Sequence, residues 1–168
     1  MPEMMDIYDA DRNRTGLILP RSARLSDDQF MLYVLALIED RDGRFLVTRR
    51  ALTKKWAAGS WEIPGGGSLA GETSLEAVCR EVREETGLDI SGCRNEVIYS
   101  YRNEDHARGD NYFVDIYLCH ADFTAADVVI QPSEVIDMRV ASFEEITALN
   151  ASDGFLHYER LRKALGKD

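Results

Sequence analysis

Residues Gly65–Leu88 read GGGSLAGETSLEAVCREVREETGL, and the reading of this stretch decides the fold. From Thr73 to Thr86, apolar Leu75, Val78, Cys79 and Val82 recur at intervals of three and four, the period of an amphipathic helix. Gly87 supplies a stop. Thr73 and Glu76 fit a capping box, in which each side chain takes an amide that the helix start leaves unpaired. At this period Glu81, Glu84 and Glu85 share one face, opposite the apolar stripe, with Arg80 beside them. Such a face is either solvated or a place where a cation relieves carboxylate repulsion, worth about a few tenths of a kcal/mol per exposed pair. Oxygen ligands without His or Cys favour magnesium or manganese over zinc. The triplet Gly65, Gly66 and Gly67 reads as a tight turn that brings a backbone carbonyl towards the same place, and Glu72 adds a further charge.

Upstream, Gln29–Ile38 reads QFMLYVLALI, too continuously apolar for one wet face and therefore a strand buried on both sides. The turn Arg41-Asp42-Gly43 joins it to Arg44–Arg50, whose alternation makes it the expected hairpin partner. Residues Ala51–Pro64 form a loop ending in a short extended piece, Trp61–Ile63. Before them, Ile7–Leu19 carries Asp9, Asp11, Asn13 and Gly16 between apolar pieces, so residues 1–28 read as an N-terminal hairpin or extension of one domain spanning 1–168. Downstream, Glu96–Tyr101 and Tyr112–Cys119 alternate as strands around a polar stretch, Asn103–Asn111, that suits a substrate-side loop. Val135–Ala141 is a final strand, and Phe143–Leu149 and Phe155–Leu165 are helices. Strands mixed with a few helices predict an α/β (α+β) sandwich with helices covering a mixed β-sheet.

Twenty Lys and Arg against thirty Asp and Glu give a net charge of −10, which opposes binding to a nucleic-acid polymer or an anionic membrane. A small anionic substrate stays compatible, because a bound cation and local arginines outweigh distant charge. Cys79, Cys93 and Cys119 form neither a disulfide framework nor a zinc site, and no apolar run is long enough for a membrane span. The expected location is cytoplasmic.

The spacing from Gly66 through Glu72 to Arg80-Glu81-Val82-Arg83-Glu84-Glu85-Thr86-Gly87-Leu88 resembles the signature of the Nudix hydrolase family at every fixed position. The resemblance implies an α/β/α sandwich and a Mg2+- or Mn2+-dependent pyrophosphohydrolase acting on a nucleoside diphosphate linked to another moiety. It implies Glu81, Glu84, Glu85 and the Gly65 carbonyl as metal ligands, Arg80 as their orienting partner and Glu72 in the outer shell. Glu84 or Glu85 completes proton transfer, unless a distant carboxylate does. Glu134, in Pro132-Ser133-Glu134, is the candidate for that, with Asp105, Asp110 and Asp115 as rivals; Val140 stands where the family usually has tryptophan. Many relatives are dimers, which leaves a homodimer as one expectation.

The only dense basic stretch holds Arg44, Arg49, Arg50, Lys54 and Lys55; Arg49, Arg50 and Lys55 are the candidates for substrate phosphate, with a solvated strand edge as the alternative. Trp56 and Tyr112 are placed to stack on a base or fill the core, and Trp61 suits the core. His106, His120 and His157 show no metal or triad spacing.

Two other readings compete. Asp6-Ile7-Tyr8-Asp9, Arg12, Thr15-Gly16, Arg49-Arg50 and Lys55-Trp56 resemble the Nudix branch nearest isopentenyl diphosphate isomerase, but Trp61-Glu62-Ile63-Pro64 stands where that enzyme has its catalytic cysteine motif. A non-catalytic nucleotide sensor of the same fold is the third reading, and the complete set of signature glutamates argues against it.

Overall fold

A computed structural model describes residues 1–167. Its centre is strand β3, Met31–Glu39, apolar from Met31 to Ile38. Strands β1 (Met4–Tyr8) and β2 (Arg14–Pro20) precede it as an antiparallel hairpin, paired from Met4 opposite Pro20 to Tyr8 opposite Arg14 with a shift of register between Asp6 and Tyr8. After it come β4 (Phe45–Arg50), β5 (Trp61–Glu62), β6 (Gly65–Gly67) and helix α1 (Ser74–Thr86). Strands β7 (Arg94–Asn103), β8 (Tyr112–His120) and β9 (Val135–Ala141) and helices α2 (Phe143–Asp153) and α3 (Tyr158–Ala164) complete the fold.

β3 is buried on both faces because helices cover both. Leu35 and Leu37 enter a core with Phe45, Val47, Trp61, Ile146 and Leu161, beneath α2 and α3. Val34, Ala36 and Ile38 enter the opposite core with Leu46, Ala77, Val78, Val82 and Ile90, beneath α1. Alternation of side chains along one strand thus feeds two cores and gives the α/β/α layering. The sheet is mixed: β3 runs parallel to β8 from Met31 opposite Tyr112 to Glu39 opposite His120, while β7 and β8 are antiparallel.

Three sequence expectations change. First, β3 and β4 meet only at Glu39 and Phe45; β4 then pairs antiparallel with β9, from Phe45 opposite Ala141 to Arg50 opposite Val135. The edge of β3 that a hairpin would have used is taken by β6, with Tyr33, Val34 and Leu35 opposite Gly67, Gly66 and Gly65. Second, the glycine triplet is therefore a short strand, not a turn. Its compactness is required: a Cβ on Gly65 would lie 2.2 Å from the Val34 carbonyl oxygen. Third, Leu75 is exposed and Ala77 fills its expected place in the buried stripe with Val78 and Val82.

Candidate active site

α1 starts and stops as its sequence dictates. Thr73 accepts from the Glu76 amide at 3.1 Å and donates its own amide to Glu76 at 3.3 Å, and Gly87 ends the helix in the left-handed conformation at φ 75°. The carboxylate face is not uniformly solvated. Glu81 is buried, turned in against β6, and a Cβ on Gly66 would lie 2.4 Å from its Oε1. Glu84 is exposed and Glu85 half-buried.

Arg80 organises the group. Its Nε donates to Glu72 at 2.6 Å, Nη1 to Glu81 at 2.9 Å and to Glu84 at 3.3 Å, and Nη2 to the Gly67 carbonyl at 2.8 Å. One guanidinium faces three carboxylates, so negative charge remains in excess. Burial is the first cause that raises the Glu81 carboxyl, to about 7, against the pull of Arg80 and with the push of Glu84. Burial likewise raises Glu85 well above the ordinary carboxyl range, helped by Glu81, Glu62 and Glu134 and opposed by the Gly65 backbone. Among the described residues, no three acidic, His or Cys side chains are already drawn together as a metal cage. The donor chemistry nevertheless fits a hard divalent cation: two carboxylates costly to ionise where they stand, a third exposed beside them, and a glycine backbone with no Cβ in the way.

Glu62 on β5 and Glu134, just before β9, both add negative charge that raises the Glu85 carboxyl. Glu134 pairs with Lys54 at 2.5 Å, and its backbone carbonyl accepts from the Ala51 amide at 2.9 Å. Glu62 pairs with Arg50 at 3.1 Å, and burial still leaves its carboxyl raised. Of the rival carboxylates, Asp115 is buried in a separate network, Asp105 accepts the Arg108 amide at 3.1 Å, and Asp110 reaches the cavity described next.

A cavity of about 320 Å3 opens from Gly65, Gly66 and Glu62 across the sheet. Tyr33, Tyr101, Tyr112 and Trp56 give it an aromatic lining, with Arg50 and His157 on one side and Arg21 and Asp110 on the other. The Arg50 guanidinium sits 5.2 Å from the Trp56 ring centre, and Arg21 lies 5.2 Å from that of Tyr33. Of the three basic candidates, Arg50 lines this cavity; Arg49 turns to the Gly59 carbonyl at 2.8 Å and Lys55 is exposed. Trp61 is buried beneath Arg139, whose guanidinium lies 4.6 Å from the ring centre. Glu62, Arg21, Tyr33, Tyr101 and His157 were not marked by sequence reasoning. Glu62 alone carried a signal, as the single acidic residue inside a buried extended piece.

Layering and site together define an α/β/α sandwich whose acidic helix abuts a glycine strand at the mouth of an aromatic cavity. The chain belongs to the Nudix family: the NUDIX domain matches residues 29–162, and the family's hydrolases act on pyrophosphate bonds. It is 32% identical to an uncharacterised Nudix hydrolase of Listeria monocytogenes over 159 residues, covering 93% of this chain and 89% of that one. It is also 33% identical over 148 residues to an isopentenyl-diphosphate Delta-isomerase of Salmonella heidelberg, covering 86% of this chain and 80% of the relative. The fold matches the crystal structure of a Deinococcus radiodurans protein at a TM-score of 0.77 and 20% identity, over 96% of this chain and 99% of the other. No helix among the described residues is long and apolar enough to cross a membrane.

Proposed function

We propose that this protein is a Mg2+- or Mn2+-dependent pyrophosphohydrolase that cleaves the diphosphate of a nucleoside diphosphate linked to another moiety. The observation that carries the reading is that Glu81 packs against Gly66 and shares Arg80 with Glu72 and Glu84, while Gly65, Gly66 and Glu62 line the cavity; Glu81, Glu62 and Glu134 each add to the charge cost of Glu85. Glu81, Glu84, Glu85 and the Gly65 carbonyl would hold the cation, which when bound neutralises the diphosphate oxygens and lowers the pKa of an attacking water.

The chain's own groups divide the remaining work. Arg80 holds Glu72, Glu81 and Glu84 in a common frame. Arg50 stands at the cavity as a phosphate partner with a planar fork of donors. Glu85, whose carboxyl burial and the neighbouring Glu81 raise well above the ordinary range, is placed to take a proton, and Glu134 is the alternative acceptor. The tyrosines and Trp56 offer flat faces to a base.

The isopentenyl-diphosphate isomerase relatives keep a second reading in view. None of the free cysteines, Cys79, Cys93 and Cys119, lines the cavity, and Trp61 and Ile63 at the position of the missing motif are core residues. Phosphate release from a panel of nucleoside diphosphate compounds with Mg2+, plus isopentenyl diphosphate assayed for isomerisation, separates the readings. Hydrolysis of at least one nucleotide compound is expected, falling at least about a hundredfold in Glu84→Gln and Glu85→Gln. Tight binding without turnover would instead make the chain a sensor.

A further inference from the structure

The hairpin that precedes the family's matched residues is fastened to the start of α1 through one buried carboxylate. Asp115, at the middle of β8, has 3% of its side chain exposed and accepts four hydrogen bonds, the full capacity of a carboxylate. Arg12 supplies two of them as a fork, at 2.8 and 2.5 Å. Ser74, the first residue of α1, gives the third at 2.5 Å, and Ser100 on β7 the fourth at 2.7 Å. Tyr117 donates to Ser74 Oγ at 2.9 Å, so the serine is held from two sides. Burial would raise the Asp115 carboxyl, yet Arg12, Ser74 and Ser100 together hold it below the ordinary range.

Arg12 is held in a costly conformation to make this contact. Its φ is +65°, in the left-handed region that non-glycine residues seldom enter. The turn fixes it there: the Arg12 amide donates to the Asp9 carbonyl at 3.0 Å, and the Asp9 carboxylate accepts the Asp11 and Asn13 amides, each at 2.9 Å. The same hairpin also grips the segment between β6 and α1. Arg14 donates to the Glu72 carbonyl at 2.5 Å, Asp6 accepts the Gly71 amide at 2.8 Å, and Met4 accepts the Ala70 amide at 2.8 Å. From Ser74 to Arg80 is six residues, about 9 Å along a helix.

We propose that Arg12 is a positioning residue, which through Asp115 and Ser74 sets the start of α1 and so the frame in which Glu72, Arg80 and Glu81 meet. The hairpin is then a working part of the site and not an appendage to the fold. The link to turnover rests on the proposed hydrolase reading; the link to α1 does not.

Ser100→Ala is the control, because it removes one hydrogen bond from the same carboxylate without touching α1. The full chain, free of metal, is compared by amide hydrogen exchange at Glu76 and Ala77, and its binding of Mn2+ alone by electron paramagnetic resonance. Ser74→Ala and Arg12→Ala should speed that exchange and weaken Mn2+ binding by about tenfold, the scale of losing a group that orients ligands. Arg12→Lys should restore only part, since an ammonium cannot fork. Ser100→Ala should change neither by more than about twofold, and the Ser74/Arg12 double variant should be no worse than the poorer single one, as both act through Asp115. Should Arg12→Ala fail to fold, Ser74→Ala against Ser100→Ala still decides. Equal effects from the two serines, or unchanged exchange in Ser74→Ala, would overturn the proposal. If the native chain takes up no Mn2+, the hydrolase reading fails and the exchange comparison alone judges the latch.

Discussion

Glu81 occupies the space where a side chain on Gly66 would stand, so two neighbouring glycines carry different burdens. A Cβ on Gly65 meets the backbone oxygen of Val34 at 2.2 Å, and backbone cannot yield cheaply within a sheet. A Cβ on Gly66 meets the end of the Glu81 side chain, which can swing aside, but only by leaving Arg80. Gly66→Ala should therefore cost at least about a hundredfold in turnover, the scale of an ångström's misplacement, with little change in melting temperature. Gly65→Ala should lower the melting temperature first. Thermal melts beside the phosphate-release assay distinguish them, and a reversed pattern would contradict this account of the two positions. The sequence marks both glycines as a close approach of backbone to something. Which something it meets depends on Val34 and Glu81, residues brought there by β3 and α1.

At the level of elements, α1 has boundaries that its own residues dictate. Thr73, Glu76 and Gly87 act over a few residues, so cap and stop were readable without knowing the fold. Thr73→Ala removes the side-chain half of the box, the Oγ1 that accepts the Glu76 amide, and should cost about 1 kcal/mol, or roughly 2–4 °C in a chain of this size, with Glu76→Gln milder because glutamine still fits the box. Equal melting temperatures for Thr73→Ala and the native chain would show that tertiary packing, not the cap, fixes the helix start. β4 is the contrary case. Its apolar alternation was visible, but its partner was not, because β6 takes the edge of β3 and leaves β4 to β9, about ninety residues onward in the chain.

For the whole molecule the uncompensated carboxylates become a stability term. Glu81, raised to about 7, and Glu85, raised well above the ordinary value of 4.5, bind protons in the folded chain that the unfolded chain has already released. Between pH 4.5 and about 7 the folded state thus holds more protons, so stability falls as pH rises through that window. Urea unfolding in EDTA should show this decline from pH 5 to 7, and Glu85→Gln should flatten it. Saturating Mn2+ should remove it, because a cation that binds only the folded state offsets the same charge. A metal-free stability that is flat or rising over this range would disprove the assignment. Periodicity, caps and the joint spacing from Gly66 to Leu88 determined the family, the acidic helix and its charge from sequence, since each is a local pattern of residue types. The burial of Glu81, the approach of Glu62 and Glu134 to Glu85, the tyrosine-lined cavity and the latch from Arg12 to Ser74 were decided only by tertiary structure. Each joins residues far apart in the chain, and no local pattern records the pairing of strands that brings them together.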